Sequence, residues 1–165
     1  MCRNINIIFI LFFCCSLAGC LQVSYYQKEV AVPGNEWDYN YKPVFSFDIT
    51  DTTAAYRTFF LLQHTQAYPF SNLWVMVYIK KPGDSVAQKE RINIPLAEAN
   101  GKWLGRGVGD IWEQRLPMDL GDSVIFNKKG TYQISLGQNM RMNPLPEVLH
   151  VGLRVEQYGH RNIKK

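Results

Sequence analysis

Cysteine is absent from the chain beyond residue 20, although the sequence holds four cysteines: Cys2, Cys14, Cys15 and Cys20. Residues 21–165 therefore contain no disulfide and no thiolate metal site, and the abrupt end of the pattern indicates a boundary at residue 20. The sequence also lacks a long amphipathic helix, an internal repeat and a low-complexity segment. Its composition, 47% hydrophobic and 19% charged, excludes a disordered protein.

The glycine-rich stretch Leu96–Glu113 lacks the residues of a nucleotide-binding loop. A P-loop needs G-x-x-x-x-G-K-[ST], but Gly101-Lys102 is followed by tryptophan and no glycine opens the motif. The run Gly105–Gly109 is one residue short of the GxGxxG spacing and has no βα context. We therefore expect no nucleotide site. Two interpretations remain: a loop shaped by glycines with positive φ, or a loop that presents Trp103, Arg106 and Trp112 to a partner.

Catalytic and metal motifs fail on spacing as well. Gly-Asp-Ser-Val occurs at 83–86 and 121–124 and resembles the nucleophile block of one lipolytic hydrolase family, but no aspartate is followed three residues later by the histidine which that family needs. The three histidines, His64, His150 and His160, share no ligand spacing. We predict no catalytic residue, no metal site and no cofactor, and hence a protein that is not an enzyme.

The excess positive charge belongs to the two ends of the chain. The sequence has 18 Lys and Arg residues against 14 Asp and Glu residues, but residues 20–159 contain 14 of each. The last five residues hold three basic side chains, so we predict that 159–165 form a basic, flexible tail. This distribution does not describe a basic face for nucleic acid.

Residues 1–20 have the form of a lipoprotein signal. Arg3 precedes an apolar run from Ile5 to Leu17, which is shorter than the roughly 20 residues of a transmembrane helix. The segment Leu17–Cys20 (Leu-Ala-Gly-Cys) resembles the bacterial lipobox, in which the cysteine is lipidated and the preceding peptide is removed. We predict that residues 1–19 are cleaved, that Cys20 anchors the chain to a membrane, and that residues 20–36 form a tether.

The remaining chain consists of short β-like segments separated by turn residues. In Gly130–Leu136 and His150–Gln157 apolar and polar residues alternate, with Tyr132, Ile134 and Leu136 predicted inward in the first and Val151, Leu153 and Val155 in the second. The other main predicted strands are Val44–Ile49, Tyr56–His64, Leu73–Ile79 and Glu90–Leu96. The pattern predicts an all-β fold, an antiparallel β-sandwich of the jelly-roll or immunoglobulin-like kind. We expect about seven to eight strands over residues 37–158.

An ordered set of segments resembles the GldH family of gliding-motility lipoproteins from Bacteroidota. The matching pieces begin at the lipobox and continue through Phe45–Thr52, Tyr68–Trp74, Leu96–Gly107 and Val151–Glu156. The resemblance implies a non-catalytic envelope lipoprotein that is needed for gliding, is associated with type IX secretion and has envelope proteins of that machinery as partners. In this phylum, surface display of lipoproteins is linked to acidic residues after the lipidated cysteine. Leu21–Ser24 has none, which predicts an outer-membrane lipoprotein facing the periplasm.

Two kinds of binding surface remain open at this point. A scaffold or assembly factor would dock through aromatic and arginine side chains, for which the candidates are Trp103, Arg106, Trp112, Arg141 and Arg154. The alternative is a lipoprotein that binds glycan through surface aromatics, for which the candidates are Tyr68 and Trp74.

Overall fold

The computed structural model describes residues 25–120 and 126–160, with side chains for all of these except Tyr25 and His160. In these two ranges the chain forms eleven strands, all paired antiparallel, and one 3₁₀ turn at Pro33–Asn35. The strands are β1 (Tyr25–Ala31), β2 (Glu36–Trp37), β3 (Val44–Ile49), β4 (Ala54–Thr65), β5 (Asn72–Lys80), β6 (Gln88–Pro95), β7 (Arg106–Val108), β8 (Ile111–Met118), β9 (Gly130–Gln138), β10 (Leu145–Pro146) and β11 (Val148–His160). The predicted all-β antiparallel fold is confirmed.

The larger sheet has five strands in the order β1-β11-β4-β8-β7. Strand β4 lies at its centre and pairs with β11 on one side and with β8 on the other. Alternate residues of a strand point to opposite faces, and the predicted inward residues of β11, Val151, Leu153 and Val155, are all buried. One face of this sheet therefore covers the core and the other faces solvent.

The smaller sheet has four strands in the order β3-β9-β5-β6. Strand β3 alternates strictly between exposed and buried residues, and its bounds coincide with the predicted segment. In β9 the predicted inward residues Tyr132, Ile134 and Leu136 are fully buried. A separate two-stranded ribbon, β10-β2, lies beside these sheets.

The core lies between the two sheets and is rich in aromatic rings. The ring of Phe126 lies edge-on to Tyr132 at 5.1 Å and to Phe47 at 5.6 Å between centroids. Trp37 is 0% exposed, stacks on Phe60 at 6.3 Å and donates its indole N–H to the carbonyl of Tyr41 at 2.8 Å. Burying large rings with a satisfied N–H stabilises the core without disulfides.

The strand directions give the sandwich two distinct ends. We call one end the β1 end, because β1 begins there. Strand β11 ends at the same place, and this end also carries the connection from β3 to β4 and the connection from β5 to β6. The opposite end, which we call the tip, carries four connections: 32–43, 66–71, 96–105 with the β7–β8 turn, and 139–147.

Two boundaries and the number of strands differ from the prediction. The stretch 20–36 was expected to be a tether, but β1 pairs with β11 along its whole length and Tyr26 packs on Phe47 at 5.2 Å, so the domain includes residue 25. The estimate of seven to eight strands missed the shortest elements, because two or three residues are too few to show a period of two. Strand β11 reaches His160, so the first two residues of the predicted tail belong to the sheet. The predicted signal peptide, Cys20 and residues 161–165 lie outside the described ranges.

Candidate functional site

The glycine-rich stretch forms a loop and a hairpin at the tip. Its first part is a tight loop: the N–H of Leu104 donates to the carbonyl of Leu96 at 2.9 Å, and the N–H of Glu98 donates to the carbonyl of Lys102 at 2.8 Å. Its second part is the β7–β8 hairpin, in which Val108 pairs with Ile111 around a two-residue turn. The stretch is therefore a loop and hairpin between strands.

The structure explains why two positions of this stretch require glycine. Gly109 takes the first central position of the hairpin turn with a φ of +59°, the position at which a type II′ hairpin favours glycine. Gly105 crosses β8 so closely that an added Cβ would lie 2.4 Å from the carbonyl oxygen of Glu113. The expected positive-φ loop is thus present, and close approach accounts for a further glycine.

Beneath the hairpin, the two candidate tryptophans share one polar partner. The indole N–H groups of Trp103 and Trp112 both donate to Oε1 of Gln66, at 3.2 and 2.7 Å. The ring of Trp103 also meets His64 at 4.6 Å and Tyr68 at 6.2 Å between centroids. Both tryptophans are only partly exposed, so they hold the hairpin against the sandwich, and their rings are not free projections into solvent.

A buried polar pair supports this cluster from the core side. His64 is 0% exposed, and its Nδ1 lies 2.8 Å from the carbonyl of Thr65, which only accepts, so Nδ1 carries the proton. Its Nε2 then accepts from the side-chain amide of Gln114 at 2.8 Å, and that amide also donates to the carbonyl of Leu96 at 3.2 Å. Oε1 of Gln114 has no hydrogen-bond partner among the described residues.

Burial sets the ionisation of two groups in this cluster. Desolvation lowers the pKa of His64, with a smaller opposing effect from its hydrogen bond to Thr65, so the imidazole is neutral at pH 7. Burial also raises the pKa of Tyr68 well above its usual range. The cluster is thus uncharged and structural at neutral pH.

The tip exposes apolar side chains that sequence reasoning missed. Val108 is 74% exposed, Leu104 47% and Ile111 40%, and Tyr39 and Met142 on neighbouring loops are 37% and 44% exposed. A hairpin signal was available in the sequence Val-Gly-Asp-Ile, because a two-residue turn with glycine first and β-branched neighbours is typical of hairpins. Only the fold shows that Leu104 and Met142 are exposed at the same end as this hairpin.

Two of the candidate arginines lie together on the outward face of the five-stranded sheet. Arg106 and Arg154 line one recess of about 290 Å³, which also includes Glu29, Glu113 and Arg115. Arg154 donates to Glu156, and Arg115 pairs with the same carboxylate at 2.6 Å. These arginines therefore belong to a mixed-charge surface along the side of the sandwich, separate from the two tryptophans.

The fifth candidate, Arg141, lies beside one of the candidate glycan residues. It lines a recess of about 350 Å³ with Trp74 and Arg91 on the outward side of the four-stranded sheet. Tyr68, the other candidate glycan residue, is 3% exposed and packs against His64 and Trp103. Its ring is not accessible to a sugar, so the structure corrects that part of the expectation: the tyrosine closes the end of the core.

The described residues also bear on metal binding and on membrane crossing. No group of three or more His, Cys, Asp or Glu residues within 25–120 and 126–160 has the arrangement of a metal site. No helix in the described part of the chain is long and apolar enough to cross a membrane.

Comparison with known proteins identifies relatives for most of the chain. The model of the GldH lipoprotein family matches residues 24–155. The gliding motility lipoprotein GldH homolog of Christiangramia forsetii is 31% identical over 130 residues, 74% of this chain and 78% of that protein. The gliding motility lipoprotein GldH of Flavobacterium johnsoniae is 28% identical over 131 residues, 75% of this chain and 79% of that protein.

Among solved structures, a carbohydrate-binding module specific for non-crystalline cellulose superimposes with a TM-score of 0.39 and 10% sequence identity. The superposition covers 82% of this chain and 73% of that one. A likeness this distant carries no conclusion about ligands.

Proposed function

This chain belongs to the GldH lipoprotein family, and from that membership we propose that it is a non-catalytic lipoprotein of the outer membrane. It is anchored through diacylglycerol and acyl groups on Cys20 and serves as a scaffold or assembly factor for gliding motility and type IX secretion. The names of its relatives support the motility role. The absence of acidic residues in Leu21–Ser24 supports a domain on the periplasmic side.

The position of β1 supports a definite orientation. Cys20 precedes Tyr25 by five residues, and five extended residues span at most about 18 Å. Strand β4 has 12 residues, a length of about 40 Å. The lipid therefore keeps the β1 end at the membrane, and the tip is the end best placed to meet a protein partner.

The observation that carries the docking proposal is the exposed apolar surface of the tip. The β7–β8 hairpin and its neighbour Leu104 expose three large apolar side chains, whereas solvent-facing positions on the two sheets are largely polar or charged. Contiguous exposed apolar groups with a polar surround are typical of protein interfaces. We infer that Leu104, Val108 and Ile111 contact an envelope protein, with Trp103 and Trp112 holding them in place.

A matched pair of variants tests this proposal in cells. Val108→Asp places a charge in the centre of the tip surface, and Val86→Asp places one at the β1 end at almost the same exposure, 75% against 74%. Both proteins should fold, since exposed substitutions change stability by about 0.5 kcal/mol or less. We expect Val108→Asp alone to impair assembly of the apparatus, secretion and, in a gliding cell, movement. Equal behaviour of the two variants would remove the docking role.

A separate experiment tests which side of the outer membrane the domain faces. Protease added to intact cells should leave the domain uncut, and cleavage should appear only after the outer membrane is permeabilised. Cleavage in intact cells would place the domain on the cell surface.

Glycan binding remains a second candidate because of one observation. Trp74 keeps a partly exposed ring in a recess with Arg91 and Arg141, even though Tyr68 is buried. The surroundings of this recess determine what kind of glycan it fits.

A further inference from the structure

The outward face of the four-stranded sheet is strongly cationic. Its outward positions carry Lys80 on β5 and Lys89 and Arg91 on β6, while Lys42 and Arg141 lie at its tip end. Asp48 is the single carboxylate at an outward position of the four strands, and it lies near the β1 end. It accepts a hydrogen bond of 2.6 Å from the Thr131 hydroxyl. Although residues 20–159 are neutral in sum, their charge is thus segregated in space. We call the surface formed by Lys42, Lys89, Arg91 and Arg141 the cationic face.

Aromatic rings hold three of these cations in place. The guanidinium of Arg91 lies 4.1 Å from the ring centroid of Trp74. The ammonium groups of Lys42 and Lys89 lie 5.5 and 5.8 Å from the ring centroid of Tyr78. Cation–π contacts fix side chains that would otherwise move freely, and none of these three cations forms an ion pair with a carboxylate in the described ranges.

The fourth cation is positioned by the backbone. The N–H of Asn139 donates to the carbonyl of Trp74 at 2.8 Å, and the N–H of Trp74 donates to the sulfur of Met140 at 3.2 Å. The segment after β9 therefore stays beside β5, which brings Arg141 to the recess at Trp74.

The spacing of these groups fits an extended ligand. Trp74 and Tyr78 are four residues apart on β5, so the two rings that the cations contact lie about 13 Å apart along the strand. A polymer with a negative charge on successive units can meet the cations at both rings at once, which a small anion cannot.

The polar composition of the face favours a saccharide over a protein. Its outward side chains include the amides of Asn72 and Asn93, which bond to each other at 2.7 Å, and Ser46, Gln133 and Ser135. Amides and hydroxyls suit sugar hydroxyl groups. A protein interface needs an apolar centre. Among the exposed large apolar residues of the described ranges, only Val44 lies at an outward position of these four strands, while Trp74, Met76 and Tyr78 on β5 are half-buried. A lipid surface would meet the β1 end first.

We propose that the cationic face binds an acidic polysaccharide with carboxylate-bearing sugars, lying along β5. Arg91 and Arg141 pair with one carboxylate in the recess at Trp74, and Lys42 and Lys89 pair with another at Tyr78. Guanidinium groups form short, charge-assisted hydrogen bonds with carboxylates. This binding is independent of the docking role at the tip and gives the glycan-binding candidate a ligand class.

The test uses the full lipidated chain in detergent micelles and polygalacturonate as the probe. Three further polymers separate the explanations: fully methyl-esterified polygalacturonate, which has the same sugars without charge, neutral dextran, and polyglutamate. We expect binding to polygalacturonate that weakens as salt rises, with no binding to the esterified polymer or to dextran and at least about tenfold weaker binding to polyglutamate.

A matched control shows whether the face itself is responsible. Arg91→Gln combined with Arg141→Gln should raise the Kd for polygalacturonate about tenfold or more. Arg57→Gln removes an exposed arginine that also stacks on a ring, that of Tyr158 at 4.2 Å, on the other sheet, and should leave the Kd unchanged. Unchanged circular dichroism and Tm establish that each variant is folded.

Three results would overturn the proposal. They are equal affinity for the esterified polymer, polyglutamate binding as tight as polygalacturonate binding, and equal effects of the double variant and Arg57→Gln. The Val108→Asp variant should bind the polymer normally, so a failed polysaccharide test and a failed docking test are distinguishable.

Discussion

The buried imidazole of His64 makes stability depend on pH in a way that the structure specifies. Its hydrogen bonds to Thr65 and Gln114 require the neutral ring, and desolvation lowers its pKa. In the unfolded chain the pKa returns to about 6.5. Below that pH the unfolded chain binds a proton that the folded protein excludes, so the free energy of unfolding falls as the pH decreases. Between pH 7.5 and 5.5 the loss reaches at most about 1.4 kcal/mol for one histidine.

His64→Gln isolates this contribution. Glutamine does not titrate, so the variant should lose less stability than the parent protein between pH 7.5 and 5.5, whatever its stability at neutral pH. The rest of the chain is identical in the two proteins, so its contribution cancels in the difference. Urea unfolding followed by tryptophan fluorescence measures the free energy of unfolding at each pH. Trp103 is a suitable reporter because its ring lies 4.6 Å from that of His64. Parallel pH dependence in the two proteins would refute the assignment of a neutral, buried imidazole.

Three further substitutions probe the fold and the anchor. Gly105→Ala should lower the free energy of unfolding by about 1–3 kcal/mol, because the added methyl meets the carbonyl of Glu113 at 2.4 Å; an unchanged urea midpoint would contradict the close crossing. Trp37→Ala should cost about 3–5 kcal/mol, since the ring is fully buried against Phe60, and a much smaller loss would place this segment outside the core. Cys20→Ala should abolish labelling by palmitate and release the protein from membranes, and a variant that stays lipidated would disprove the predicted anchor.

The long strands were predictable because their two faces differ. In β3, β9 and β11 apolar residues occur at every second position, and this is the pattern that a sheet with one covered face requires. Strand β1 did not show this pattern, although it lies in the same sheet. Its inward residues are Tyr26, Lys28 and Val30, and the lysine interrupts the apolar alternation of this edge strand.

The site was less predictable because it depends on contacts between distant segments. Gln66 joins two tryptophans that lie 37 and 46 residues away, and Gln114 pairs with His64 across 50 residues. The sequence does not show which hydrogen-bond partners its inward polar residues have. Grouping the arginines also needed the fold, which places Arg154 beside Arg106 and moves Arg141 to the opposite sheet.

The central claim, that the tip contacts an envelope protein, is tested most directly by site-specific photo-crosslinking in living cells. A photoreactive residue at position 108 should give one defined adduct with an envelope protein. The same residue at position 86, equally exposed at the β1 end, should not give that adduct. Adding Ile111→Asp should remove the adduct at position 108. An adduct of equal yield from both positions, or none from position 108 in a protein that remains folded and membrane-bound, would contradict the account.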